Sequence, residues 1–435
     1  MRSRLEMRVW KAKELPPNWF KRKATDEKDH EAVEESVKEI IGVVKRRGNV
    51  ALIEFTERFD KTKLTARDLR VTSAEIKAAY KAVSQQQVNA LKSMREKLFA
   101  NEKLSLQQIG YKTSREGISI QTVMRPIESV GCYVPAGQAV YPSTLVMTTT
   151  PAKVAGVQRI VVCSPPTFKG TINPLILVAA DICGVDELYK VGGVQAIAAL
   201  AYGTENIRPV KKIVGPGSKY VTAAKVQVSK NVAIDMPAGP SEILVLADEE
   251  ANPKLVAADM ISQAEHGEES VAGLITPSRK LVEGVLRFLD EQSALAERRE
   301  IVEKALSTHG FIIICKDDPD EMAALANAFA PEHLEIVTEA PKEIADKITS
   351  AGLILIGPYS PVALSDYGSG TNHVLPTGGF GSVYSGLSAL DFMRRVSIVE
   401  SSKEGLEKLR NQIKVLTEAE NLPNHYKAVE ARFEE

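Results

Sequence analysis

The 435-residue chain has few cysteines and no long apolar run. Its four cysteines, Cys132, Cys163, Cys183 and Cys315, are widely scattered and form no Cys-x-x-Cys. Three of them follow or interrupt apolar runs such as "RIVVC" and "FIIIC", so they read as buried thiols of a reduced, cytoplasmic protein. The longest apolar stretches, such as Leu175–Ala180 and Ala196–Tyr202, fall far short of the roughly 20 residues a membrane-spanning helix needs. The start, "MRSRLEMRVWKAKEL", carries charges throughout and no apolar block of signal-peptide length. A surplus of charge is missing too. The formal net charge of −1 removes the electrostatic case for nucleic-acid or anionic-membrane binding. The short clusters "KRK" (Lys21–Lys23) and "KRR" (Lys45–Arg47) read as solvated faces. No repeat of fixed period occurs.

What is present is a globular composition, 44% hydrophobic and 26% charged, in a chain long enough for two or three lobes. Val33, Val37, Ile40, Ile41 and Val44 fall on one face of a helix that Gly48 ends, and further helical patterns cover Ser73–Glu102. "LPPNWF" (Leu15–Phe20) is not helical through its two prolines and reads as an extended arm packed on a neighbour. From Val130 strands and helices alternate: "RIVVCSPP", "NPLILVAADICG", "ELYKVGG", "VQAIAALAYG" and "KKIVGPG". A second alternating block holds "SEILVLAD", "PKLVAADMISQAEHG", "VAGLITPS", one long helix over Lys280–His309, and "GFIIICKD". The last fifty residues read as amphipathic helix. The pattern predicts two α/β lobes, each with a largely parallel sheet, and helical extensions at both ends. Ligands of such sheets are expected beyond the carboxyl ends of the strands.

Two strand-to-helix junctions are rich in glycine, "VGGVQAIAAL" (Val191–Leu200) and "GPGSKYVTAAK" (Gly215–Lys225). Neither is a Gly-x-Gly-x-x-Gly fingerprint. Each alone reads as an ordinary tight turn; two in one lobe, with the Tyr133 loop beside them, keep a phosphate- or carboxylate-binding reading open. The six histidines are sharper markers. His30 and His309 lie at polar helix edges and read as surface residues. Gln263 and His266, in "SQAEHG", are spaced i and i+3 near a helix end and share a face. An amide oxygen and an imidazole suit zinc, although a histidine in a last helical turn is also favoured by the helix dipole. "APEHLEI" pairs Glu332 with His333, two groups able to move protons near neutral pH. Asp366 and His373 sit in a glycine-rich loop, "ALSDYGSGTNHVLPTGG", and His425 in the polar break "ENLPNHYK". From residues alone this is a cytoplasmic α/β enzyme that moves protons beside a nucleotide-type site, with a metal left open.

At these residues the sequence resembles the histidinol dehydrogenase family. "ESVGCYVPAG", "YPSTLVM", "DMPAGPSEILVLAD", "SQAEHG", "APEHLEI", "LSDYGSGTNHVLPTGG" and "EAENLPNH" match in order along most of the chain. The resemblance implies two incomplete Rossmann-like lobes in an intertwined homodimer. Residues 1–30 would be an N-terminal arm, 31–128 with 240–385 a catalytic lobe, 129–239 an NAD-binding lobe, and 386–435 a helical dimerisation segment. It implies oxidation of L-histidinol through L-histidinal to L-histidine by NAD, with one zinc ion per site. Gln263, His266 and Asp366 would be zinc ligands, and His425 would reach the zinc of the other subunit. Glu332 and His333 would be the catalytic pair, Ser241 and Glu420 substrate contacts, and Tyr133, Gln195 and Ser218 cofactor contacts. Ser218 stands where the family has asparagine in "GPGN", and Ala136 where a second glycine is common, which predicts weaker NAD binding than is usual. Three other readings compete: the same scaffold acting on another small alcohol such as a hydroxylated sulfonate, a zinc hydrolase with Glu332 as base, and a non-catalytic metal-binding protein. Glu420 and His425 at matching spacing favour histidinol. The glycine-rich junctions argue against a hydrolase, and the Glu-His pair would be idle in a binding protein.

Overall fold

The computed structural model describes residues 5–16, 19–20, 27–107, 109–136, 139–166, 170–236 and 238–434, and for 27–30 the backbone alone. The Lys21–Lys23 cluster and the His30 side chain lie outside the described residues. Two parallel sheets form the body. One has five strands in the order Glu187–Tyr189, Arg159–Cys163, Ser129–Tyr133, Lys212–Val214, Ala233–Ile234. The other has six, in the order Arg8–Lys11, Phe311–Ile314, Val271–Thr276, Glu242–Ala247, His333–Val337, Leu353–Ile356. The central strands Ser129–Tyr133 and Glu242–Ala247 are buried along their whole length, as both faces of a parallel sheet must be when helices cover them.

Four features depart from the sequence expectation. The N-terminal arm is not merely an extended appendage but part of a sheet of its own chain. Arg8–Lys11 is the edge strand of the six-stranded sheet, and Trp19 packs edge-on to Phe311, ring centroids 4.8 Å apart. Its alternation is too short and too charged to read as a strand from sequence. The helices Glu27–Arg47, Ser73–Ala82 and Gln85–Gln107, expected beside the six-stranded lobe, cover the five-stranded sheet instead. Val37 and Val44 enter one of its cores, Leu91 and Leu98 the other. The Lys280–His309 region is two helices, Arg279–Ser293 and Arg299–His309. In one straight helix Val302 would fall about 220° round from Leu289, so only a break lets both enter the same core. His309, at the end of the second helix, is half-buried rather than on the surface.

The fourth departure is a third sheet. "MRRVSIVES", Met393–Ser401, is a strand and not helix, paired antiparallel with Ile118–Pro126, which pairs with Tyr111–Arg115. Val396, Ile398 and Val399 are β-branched and suit a pleated strand. Two helices follow, Lys403–Ala419 and Pro423–Glu430. No helix among the described residues is long and apolar enough to cross a membrane.

Candidate active site

In the five-stranded sheet the chain starts in the central strand Ser129–Tyr133 and builds outward on one side. It then returns to lay Lys212–Val214 on the other side. Connections therefore leave in opposite directions between these two strands, and the carboxyl ends part to form a crevice. Tyr133 ends the first strand there. Its buried hydroxyl accepts the Gly193 amide at 3.0 Å, which leaves the phenolic O–H to donate, and burial raises its pKa. Gln195, in the first turn of helix Gly193–Tyr202, is 1% exposed, yet neither atom of its amide has a partner. An unsatisfied buried polar group costs about 1–3 kcal/mol, so these atoms fit a ligand that completes them. Ser218 is exposed and heads helix Lys219–Val228, but its hydroxyl makes no capping bond and is not spent on the helix. The three sequence-derived cofactor positions thus all lie at carboxyl-end junctions of one sheet.

The second group of residues lies at the opposite ends of its strands. His333 opens its strand and pairs with Ile243 and Leu353, near the amino ends of both neighbours. In the six-stranded sheet these candidates thus lie at the amino edge, away from the carboxyl ends where the sequence pattern placed ligands. Helix Pro253–Ala264 starts at an Asn252 cap with Pro253 in the first turn and runs back antiparallel to the strands. Its last turn comes to the amino edge. The helix stops at Ala264, and His266 continues the turn, its amide bonded to the Gln263 carbonyl at 3.3 Å. Gln263 is fully buried with its side-chain oxygen unpartnered; His266 is half-buried.

Asp366, on the short helix Val362–Tyr367, approaches from the third direction. Its carboxylate is 3.9 Å from His333 Nε2 and 3.6 Å from His373 Nδ1. The loop that carries His373 is pinned between the lobes. The Asn372 amide donates to the Met147 carbonyl at 2.8 Å, and the Gly378 amide donates to Glu242 Oε1 at 3.0 Å. Glu332 and His333 are both fixed by the backbone of Glu242. Its N–H donates to Glu332 Oε2 at 2.7 Å, and its carbonyl lies 3.2 Å from His333 Nδ1. A proton on Nδ1 satisfies that carbonyl and leaves Nε2, buried and unpartnered, with its lone pair toward Asp366. Burial pushes the His333 pKa down, but Glu332 and Asp366 push it up and prevail. For His373 burial prevails and the pKa falls, with the charges of Asp366, Glu332, His333 and His266 all felt there. Beside His266 a cavity of about 370 Å³ opens, bounded by Leu91, Met94, Tyr141, Ser143 and Tyr367.

Ser241 adjoins this cluster, half-buried, with its carbonyl accepting from the Val271 amide at 3.0 Å. Glu420 and His425 do not join it within one chain. Both are exposed, Glu420 in the turn after helix Lys403–Ala419 and His425 on helix Pro423–Glu430. Sequence reading missed Glu242. Its one signal is a carboxylate heading the apolar strand "EILVLA", where only a partnered charge belongs. It also missed a pair of carboxyl groups behind the cluster. Glu335, two residues along the strand from His333, is 2% exposed and hydrogen-bonds Asp259 of the Gln263 helix. Burial raises both, Asp259 to about 6.

A glycine-rich switch point in one parallel sheet and a buried histidine–carboxylate cluster at the edge of the other are features of α/β enzymes. Comparison with known proteins gives the particular family. A histidinol dehydrogenase family model matches residues 23–433. Histidinol dehydrogenase of Methanocaldococcus jannaschii is 46% identical over 92% of each chain. That of Heliobacterium mobile is 43% identical over 96% of this chain and 97% of its own. The crystal structure of histidinol dehydrogenase from Elizabethkingia anophelis, 38% identical, superposes over 98% of both chains with a TM-score of 0.91. The chain belongs to the histidinol dehydrogenase family, and with it to the NAD-dependent oxidoreductases.

Proposed function

We propose that this chain oxidises L-histidinol through L-histidinal to L-histidine, passing one hydride to each of two NAD molecules. The observation that carries this reading, in a chain of this family, is the meeting of Glu332, His333 and Asp366 at one sheet edge. NAD in the Tyr133, Gln195 and Ser218 crevice supplies the hydride acceptor. His333 takes the hydroxyl proton at Nε2 as the alcohol is oxidised. For the second oxidation Glu332, held at Oε2 by the Glu242 amide, takes a proton from the water that adds to the aldehyde. His333, having released the first proton to solvent, takes the hydroxyl proton of the hydrate as a second hydride leaves and the acid forms. Ser241, beside the pair, and Glu420 contact the substrate.

The donor set suits zinc, which accepts mixed nitrogen and oxygen ligands. Among the described residues no three His, Cys, Asp or Glu side chains are grouped to hold a metal. A zinc site here therefore draws on the buried, unpartnered Gln263 oxygen and on a further ligand. We assign Gln263, His266, Asp366 and, from a second copy of the chain, His425. Zinc held there would supply orientation of the substrate. The segment that carries His425 also exposes Val399, Val415, Leu416 and Leu422, an apolar surface that suits burial in a homodimer. Four unpaired cysteines suit a cytoplasmic location.

The test is NADH formed per L-histidinol consumed by the purified protein, with and without a chelator. Two NADH per substrate, lost with the chelator and restored by zinc, is the expected result. No turnover by zinc-loaded protein sinks the substrate assignment. One NADH per substrate sinks the role given to Glu332.

A further inference from the structure

A second feature of the cofactor lobe is buried charge that neither the sequence reading nor the proposed reaction uses. Lys225, on helix Lys219–Val228, is 2% exposed, and Asp235, which follows strand Ala233–Ile234, is 6% exposed. They form an ion pair and hold one residue between them. Asp235 Oδ2 accepts the Gly215 amide at 2.7 Å, and Lys225 Nζ donates to the Gly215 carbonyl at 2.9 Å. The N–H and the C=O of a single residue, one from each of two successive peptide units, are thus both bound by this buried pair.

Gly215 is the first residue of the "GPGS" turn that ends in Ser218. Its φ is +118°, a conformation side-chain-bearing residues rarely adopt, and a Cβ there would meet the Tyr133 carbonyl oxygen. The turn therefore lies directly against the end of the Ser129–Tyr133 strand, at the switch point where the two strands' connections diverge. A buried ion pair adds little net stability, because desolvation offsets its attraction. What it does supply is a fixed geometry for the backbone it grips.

We infer that Lys225 and Asp235 are positioning residues that clamp the Gly215–Ser218 turn in its NAD-binding conformation. This rests on the reading that NAD binds between Tyr133 and Ser218. The clamp touches no ligand atom. It raises the share of molecules whose turn is competent to bind, and the apparent dissociation constant scales inversely with that share.

The experiment measures NAD affinity by calorimetry on the zinc-loaded protein, with hydrogen exchange at the Gly215 amide and L-histidinol affinity alongside. In Lys225→Met/Asp235→Leu both grips are lost without stranding a charge. A fall in the competent share to about a tenth would weaken NAD about tenfold, with faster exchange at Gly215 and unchanged L-histidinol affinity. Lys225→Gln/Asp235→Asn removes the charges but keeps groups able to bond Gly215, and should lose a smaller part of both protection and NAD affinity. NAD affinity unchanged in the folded apolar variant, with exchange accelerated, overturns the clamp. If the apolar variant does not fold, the polar variant decides. Affinity and protection lost together support the inference; either one lost alone, or both kept unchanged, overturns it. Failure of the wild-type protein to bind NAD overturns the cofactor reading and this inference with it, whereas NAD binding indifferent to the pair overturns the inference alone.

Discussion

In the five-stranded sheet the candidate positions end or follow the strands, at Tyr133 and at the Gly215–Ser218 turn, whereas in the six-stranded sheet Glu242, Glu332 and His333 begin or precede them. The difference follows from what each edge offers. After a parallel strand comes a helix N-terminus, with free amides and the positive end of the dipole. Backbone there recognises an anionic ligand with few side chains, and glycine lets it approach. Before a parallel strand comes a helix C-terminus, with free carbonyls and the negative end of the dipole, an edge suited to cations and protons. Gln263 and His266 close such a helix, and the Glu242 carbonyl faces the His333 ring. On the reading proposed above, one edge offers mainly backbone to a cofactor and the other mainly side chains to the chemistry.

The comparison is broken most directly by a change on one edge that leaves the other intact. His333→Ala should lower kcat by about 10²–10⁴-fold, the range for loss of a general acid–base group, with NAD affinity unchanged by calorimetry. A parallel loss of NAD binding would mean that the two edges are not separate. Gln195→Leu is the converse change. It removes two buried, unpartnered polar atoms, so the free protein should gain about 1 kcal/mol or more, read as a higher melting temperature. NAD affinity should fall at the same time. A lower melting temperature without ligand would show that the amide is satisfied in the free protein.

The Asp259–Glu335 pair sharpens the chemistry side. Both carboxyls are raised by burial, so the folded chain holds protons that the unfolded chain releases. Their contribution to stability is present below the unfolded pKa of about 4 and is lost as pH rises through about 6, the value for Asp259, and beyond for Glu335. Glu335→Gln should therefore flatten the fall in melting temperature between pH 5 and pH 8, by a few degrees at the upper end for roughly 1 kcal/mol. An unchanged pH profile would place the titration elsewhere. The smallest expected effect is at the cofactor edge. Ser218→Asn offers a longer side chain to NAD and should tighten binding several-fold, about one hydrogen bond or less. An unchanged dissociation constant would remove the case for weak cofactor binding.

Much of this was legible in the chain itself. Strands such as "RIVVC" and "EILVLA" announce buried parallel sheets, because after the leading charge the run is apolar on every residue and has no face to give to water. The order of strands and helices gave the two lobes, and the residue types of "AEHG", "PEHLE" and "SDYGSGTNH" marked candidates for proton and metal chemistry. The Arg8–Lys11 and Met393–Ser401 strands were not legible. Each is short or exposed, and its partner lies roughly 300 residues away in the one case and beyond 260 in the other, taking the paired strands Phe311–Ile314 and Ile118–Pro126 as reference.

The sequence by itself determined which segments alternate, where glycine frees the backbone, and which side chains can exchange a proton or bind a metal, since these depend on local sterics and on the chemistry of single residues. Only the tertiary structure decided that the catalytic candidates meet at the amino edge of their sheet, that Glu242 fixes both Glu332 and His333, and that Lys225 and Asp235 grip the cofactor turn. Those are contacts between residues up to 91 positions apart in the Glu242–His333 case, and they exist only once strands are paired and a shared interior excludes water, where an unpartnered charge or amide is too costly to leave unplaced.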